Sequence, residues 1–150
     1  MKHVELYTDG SSRGNPGPGG YGAVLIFNQR RLEIKEGFTC TTNNRMELMA
    51  VIAGLEQLKF PCHVDVYSDS KYVVDAVEKK WVFGWEKKGF AGKKNPDLWK
   101  RFLLIYRKHT VNFHWVKGHN GHPENERCDH LAVEAALQKN LKEDSGYSAL

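Results

Sequence analysis

The sequence predicts an α/β fold, a mixed β-sheet with helices on its faces. Three observations carry this. Three strand-like runs follow one another within the first 41 residues. At residue 43 the apolar period changes from two to about 3.6, and helical stripes then separate two further strand-like runs. No repeat and no long linker divides the chain. A meander followed by strands joined through helices is the pattern of a sheet containing both antiparallel and parallel pairs.

Each element has its own warrant. In HVELYT (3–8), Val4 and Leu6 alternate with Glu5 and Tyr7. YGAVLIF (21–27) is β-rich, NQRR (28–31) is a polar turn, and LEIKEGFTCT (32–41) places Leu32, Ile34, Phe38 and Cys40 on one side. In NNRMELMAVIAGLEQL (43–58), Leu48, Met49, Ile52, Leu55 and Leu58 form a helical stripe. Asn44 with Glu47 three places on reads as a capping pair. Pro61 ends that region, HVDVYSD (63–69) is a strand, and SKYVVDAVEKK (70–80) is a helix. DLWKRFLLIYRK (97–108) is helical through Leu98, Phe102 and Ile105. TVNFHWV (110–116) alternates Val111, Phe113 and Trp115. The last helix, 123–139, opens on a proline, which suits a first helical turn. One domain over 1–140 is expected, with a loosely ordered polar tail over 141–150.

Composition narrows the function. The 150 residues are 41% hydrophobic and 27% charged, enough for an ordinary core. No apolar run approaches the roughly 20 residues that cross a bilayer. The first ten residues are too polar for a signal peptide. Three cysteines, Cys40, Cys62 and Cys128, are odd in number and lack C-x-x-C spacing, which fits free thiols in a reducing cytoplasm. Net charge is only +4, but KKWVFGWEKKGFAGKK (79–94) holds six lysines and one glutamate. Its +5 exceeds the net charge of the whole chain, so the positive charge is concentrated there.

The stretch TDGSSRGNPGPGGYG (8–22) holds six glycines, and Gly17, Gly19 and Gly22 fit G-x-G-x-x-G. A dinucleotide turn requires a helix behind the glycines. AVLIF follows instead, and G-x-x-x-x-G-K-[ST] is absent, so no nucleotide cofactor is expected. The stretch reads as an irregular loop between antiparallel strands, supple enough for a nucleic-acid backbone to approach.

Acids fall at informative places. Asp9 closes the first strand, Asp69 closes the fourth, and Glu47 sits near the start of the helix between them. If those strands are neighbours, three carboxylates converge at one sheet end. Such a group repels itself unless a hard cation neutralises it, and Mg²⁺ or Mn²⁺ suits oxygen ligands in this number. Asp129, on the last helix, is a candidate fourth. Taken singly, each acid has a plainer reading: Asp9-Gly10 as a turn pair, Glu47 as half of a capping box, Asp69 as a helix cap, Asp129 as a solvated helix residue. His119 and His122 with Cys128 make a poor zinc set. A histidine on a glycine-flanked loop suits proton movement better.

Together, YTDGSSRGNPGPGGYGAV, TNNRMELMAVIAGLE, VYSDSKYVVDAV and WVKGHNGHPENERCDHLA closely resemble the bacterial type 1 ribonuclease H, in order from about residue 3 to 139. The resemblance implies a five-stranded mixed sheet, an antiparallel three-strand meander plus two parallel strands, flanked by helices. It implies endonucleolytic hydrolysis of the RNA strand of RNA–DNA hybrids by two divalent ions, Mg²⁺ with Mn²⁺ as the alternative, leaving 5′-phosphate and 3′-hydroxyl ends. The family's metal-binding acids match Asp9, Glu47, Asp69 and Asp129, and its mobile histidine matches His119. Contacts to the RNA strand match Asn15, Asn43, Asn44 and the position of Lys71, and Thr42 and Asn95 match a pocket for a DNA phosphate. The DNA strand would follow the basic segment, where Trp81, Trp85 and Phe90 interleave with Lys87 and Lys88. Trp81 reads equally as core, so Trp85 and the lysines carry that expectation.

This sequence departs from the family pattern in a shorter segment after Phe90 and in a lysine at 71 where glutamine is more usual. A monomer acting on a hybrid duplex, away from membranes, is expected. The rival reading, a non-catalytic hybrid-binding module of the same fold, gains nothing from four acids beside a phosphate.

Overall fold

The computed structural model describes residues 1–117 and 122–147. Five strands, β1 (Lys2–Ser12), β2 (Gly17–Phe27), β3 (Arg30–Thr41), β4 (Cys62–Ser68) and β5 (Thr110–Trp115), form one sheet in the order β3-β2-β1-β4-β5. The β1–β2 and β2–β3 pairs are antiparallel, and β1–β4 and β4–β5 are parallel. Helices α1 (Asn43–Glu56), α2 (Lys71–Glu78), α3 (Trp81–Lys87), α4 (Pro96–Tyr106) and α5 (Pro123–Ala136) complete the architecture. The mixed sheet, its three-strand meander and its two parallel strands are as the sequence predicts.

Alternation assigns each face of the sheet. Val4, Leu6, Val64 and Val66 point to the side of α1, where they join Leu48, Ile52 and Leu55 and the α4 residues Leu98, Trp99 and Phe102 in the main core. Burying side chains of this size stabilises by about 1.5–3 kcal/mol each. The opposite face is covered by α5, where Val24 meets Cys128 and Leu131 beside Tyr7 and Ile26. Helix α5 comes very close. A Cβ at Gly22 would lie 2.5 Å from the Cys128 carbonyl oxygen, and one at Gly20 2.5 Å from that of Ala132. This corrects the reading of the glycine stretch. Gly19, Gly20 and Gly22 are strand residues of β2, and at Gly20 and Gly22 the missing side chains admit a helix.

Other boundaries differ for identifiable reasons. Thr42 caps α1, its hydroxyl accepting from the Arg45 N–H at 3.2 Å, so the Asn44–Glu47 capping pair does not form. Ser70, not Asp69, caps α2. The basic segment contains a helix, α3, that the sequence conceals: only Val82 in it is buried and Gly84 interrupts it, so no stripe develops.

Within the tail, residues 142–147 make specific contacts with the rest of the domain. Lys142 bridges to Phe38 of β3, with Thr39 N–H donating to the Lys142 carbonyl at 2.8 Å. Asp144 is buried. It accepts from Arg45 Nε at 2.7 Å, Arg45 Nη2 at 2.9 Å and Thr41 Oγ1 at 2.7 Å. Arg45 also donates to Asp97 from both terminal nitrogens. A guanidinium only 2% exposed requires carboxylate partners, and the C-terminal segment supplies one of the two.

Candidate active site

The sheet order makes β1 and β4 parallel neighbours, with Tyr7 opposite Tyr67, so Asp9 and Asp69 emerge side by side at the same sheet end. Glu47 reaches them because the start of α1 lies directly on Gly10. A Cβ at Gly10 would overlap the Glu47 backbone nitrogen and the Met46 carbonyl carbon. One carboxylate oxygen from each of Asp9, Glu47 and Asp69 lies within 4.8 Å of the others, the one such group among the described residues. The plainer readings of Glu47 and Asp69 as caps are therefore excluded: neither caps its helix, and both turn toward Asp9.

The electrostatics are those of a cation-binding site, with mutually repelling carboxylates held close together. Asp9 is pushed up to about 7, first by burial and then by Asp69, with Asp129 adding to the repulsion and the Gly10 N–H, 2.9 Å from Oδ1, opposing it. Glu47 is held well above the usual carboxylate range by burial, then by Asp9 and Asp69. Glu47 Oε1 and Asp69 Oδ1 are buried without a hydrogen-bond partner. Buried orphan oxygens on clustered acids fit a hard divalent cation, whose ligands are oxygens. Asp129 is half-buried on α5, one residue after the Cys128 carbonyl that abuts Gly22, the register partner of Asp9. It acts electrostatically on Asp9 but lies outside the close triad. His119 lies outside the described residues.

A second group forms at the N-terminal end of α1. Asn15, Thr42, Asn44 and Asn95 line one cavity of about 630 Å³ together with Arg45 and Tyr147. The Asn43 N–H donates to Asn15 Oδ1 at 3.1 Å, tying the loop between β1 and β2 to the helix. Asn95 takes a left-handed conformation (φ 61°) and accepts from Arg45 Nη1 at 3.3 Å while donating to the Tyr72 hydroxyl at 3.0 Å.

The basic segment is only partly as expected. Lys87 and Lys88 are exposed at the end of α3. Trp85 is half-buried, edge-on to Trp99 at 5.8 Å, with the Lys93 ammonium 5.1 Å from its ring centroid. Phe90, expected on the binding face, is core, and Trp81, read equally as core, is 49% exposed. The short helix turns these aromatics opposite to what a linear reading suggests.

Sequence reasoning missed Trp115. Alternation along β5 puts it on the inward side, yet it is 43% exposed, and its indole N–H donates to the Asp69 carbonyl at 3.2 Å. Lys71 lies exposed with its ammonium 4.2 Å from the Trp115 ring centroid. Arg45 was also missed, because a buried arginine within an apolar stripe carries no signal until its carboxylate partners are known.

Residues 1–137 match the family model described as RNase H. The chain is 55% identical over 149 residues to the Ribonuclease H of Desulforamulus reducens, covering 96% of this chain and 94% of that protein. It is 54% identical to the Ribonuclease H of Aeromonas salmonicida, covering 98% of each. Among solved structures it is similar to LC9-RNase H1, a type 1 RNase H with the type 2 active-site motif, with a TM-score of 0.82 and 33% identity over 91% of this chain and 72% of that one. It is also similar to LC11-RNase H1 in complex with an RNA/DNA hybrid, with a TM-score of 0.69 and 28% identity over 89% of this chain and 96% of that one. With a carboxylate cluster at the sheet end and relatives this close over nearly full length, the chain belongs to the ribonuclease H family and is a nuclease that hydrolyses phosphodiester bonds.

Proposed function

We propose that this protein cuts the RNA strand of RNA–DNA hybrids internally, by a two-metal-ion hydrolysis that leaves 5′-phosphate and 3′-hydroxyl ends. The observation that carries the reading is the convergence of Asp9, Glu47 and Asp69, with two of their oxygens buried and unpartnered. Those three acids would hold Mg²⁺, or Mn²⁺ in its place, with Asp129 at the margin of the site. Divalent ions bound there supply charge neutralisation for the scissile phosphate and a water acidic enough to attack at neutral pH.

The chain's own groups do the rest. Asp9, fixed in the ladder of β1 by Gly22 on the neighbouring strand, holds its carboxylate still while the others close around it. His119 is assigned proton movement in this step, taking a proton from the attacking water or passing one to the departing 3′-oxygen. Asn43 and Lys71 are assigned to the RNA strand along with Asn15 and Asn44. Thr42 and Asn95 are assigned to a phosphate of the DNA strand, in the cavity they share with Asn15 and Asn44. Trp85, Lys87 and Lys88 would follow the DNA backbone further along. We infer a monomer. The thiols of Cys40, Cys62 and Cys128 are free, which suits a cytoplasmic setting, and no helix among the described residues is long and apolar enough to cross a membrane.

The test is cleavage of a hybrid labelled on the RNA strand, with Mg²⁺ and with EDTA. Expected are internal cuts in RNA only, dependent on Mg²⁺, with products that a ligase rejoins because they carry 5′-phosphates. Binding of the hybrid without cleavage at any Mg²⁺ or Mn²⁺ concentration would favour the non-catalytic reading instead.

A further inference from the structure

Of the three clustered acids, Asp69 is the one that no regular element holds. Asp9 lies within β1 and Glu47 within α1, but β4 ends at Ser68 and α2 begins at Lys71. Beyond a strand end the ladder no longer fixes the backbone, so the position of Asp69 depends on contacts made by the link itself. The Ser70 N–H donates to Ser68 Oγ at 3.1 Å, and Ser70 Oγ caps α2 by accepting from Val73 N–H at 3.2 Å. The Asp69 carbonyl is held by Trp115 Nε1 at 3.2 Å. Trp115 is itself anchored as the register partner of Ser68, and the Val116 N–H donates to the Ser68 carbonyl at 2.9 Å.

The other side of the same indole holds a charge. The Lys71 ammonium sits 4.2 Å from the Trp115 ring centroid, inside the range of a cation–π contact. That contact is weak at an exposed site, whereas a charge-assisted bond to a phosphate is stronger. An ammonium stored on an aromatic face two residues from a metal-ligating acid is therefore ready to transfer to a phosphate that arrives there.

We propose that Trp115 is a positioning residue with two faces of action: its N–H fixes the backbone of Asp69 at the acid cluster, and its ring holds Lys71 in place as a positive charge for a substrate phosphate. The second action rests on the proposed cleavage of hybrids, and the first does not.

The experiment has two arms on the full chain, with thermal unfolding as a check of folding. The first titrates Mn²⁺ by calorimetry without substrate. Trp115→Phe keeps a ring and loses the N–H, and should weaken Mn²⁺ binding about fivefold, the effect of one ordinary hydrogen bond. The second measures hybrid affinity in EDTA across a salt series. Lys71→Gln should lower the slope of log affinity against log salt by about one. Trp115→Leu, which removes both ring and N–H, should share part of its loss with Lys71→Gln, so the double variant loses less than the product of the two singles. Unchanged Mn²⁺ affinity in a folded Trp115→Phe protein would overturn the first action, and losses that simply multiply would overturn the second. If Trp115→Leu does not fold, Trp115→Ala takes its place in the cycle at reduced temperature. A wild-type chain that binds no hybrid would count against the proposed function, while the Mn²⁺ arm would still decide the role of Trp115 toward Asp69.

Discussion

At the scale of single residues, the site stores repulsion that a cation relieves. In the metal-free protein the folded chain binds protons at Asp9 up to about pH 7, whereas the unfolded chain releases them near the ordinary value of 3.8. The folded state therefore holds more protons than the unfolded state between these limits. Stability falls as pH rises through that window and levels off above it, a loss on the order of 4 kcal/mol. Glu47→Gln removes one of the buried carboxylates. Because Glu47 is itself held well above the usual carboxylate range by burial and its acidic neighbours, the variant should make the fall of stability with pH shallower and raise the thermal midpoint at pH 8 by about 2–4 °C per kcal/mol relieved, measured by scanning calorimetry in EDTA, while abolishing cleavage. A midpoint that falls instead would mean the Glu47 carboxylate contributes structure. Residue identity was legible in the sequence for the acids because strand ends and helix starts are where ligands collect. Their mutual distance was not, since nothing in a linear pattern states that β1 and β4 are neighbours.

At the scale of elements, closeness between layers is what assembles the site. Gly10 sits under α1 and Gly22 under α5, and each position leaves no room for a methyl group. Gly10→Ala should displace the first turn of α1, and with it Glu47. The expected cost is about 1–3 kcal/mol in urea denaturation, together with a loss of cleavage larger than the stability change accounts for. Gly22→Ala should cost a similar amount by pushing on the Cys128 carbonyl. The strands and the longer helices followed from alternation and from stripes such as Leu48, Ile52 and Leu55. The purpose of the glycines did not, because a residue without a side chain leaves no periodic trace of what packs against it. Helix α3 was hidden for a related reason: with only Val82 buried, two turns offer no face to count.

At the scale of the whole molecule, segments distant in sequence meet around Arg45. Asp144 and Asp97 grip its guanidinium, and Arg45 in turn supports Asn95 in the cavity shared with Thr42 and Asn15. Asp144→Ala leaves a buried arginine with half its partners and should lower stability by about 3–5 kcal/mol in a urea titration. Asp144→Asn should retain part of that. A tail of polar residues reads as loose because its one buried carboxylate looks like any other acid in sequence. Only the fold shows that an arginine within the apolar stripe of α1 needs it. Charge distribution was legible at this scale, since the lysine run from 79 to 94 stands out by count. Replacing Lys87 and Lys88 together by Ala should lower the salt slope of hybrid binding by about two, and an unchanged slope would remove that end of α3 from the binding surface.

On the proposed function, Asp9, Glu47 and Asp69 act as one metal-holding group for cutting RNA in a hybrid. The most direct measurement compares wild type with Asp9→Asn on an RNA-labelled hybrid in Mg²⁺, following cleavage and binding side by side. The expected result is Mg²⁺-dependent cutting by wild type and none by Asp9→Asn, with hybrid affinity of the variant within about threefold of wild type, because the flanking parts of both strand backbones are held by residues away from the acid cluster. Cleavage by a folded Asp9→Asn protein at a rate close to wild type would contradict the account.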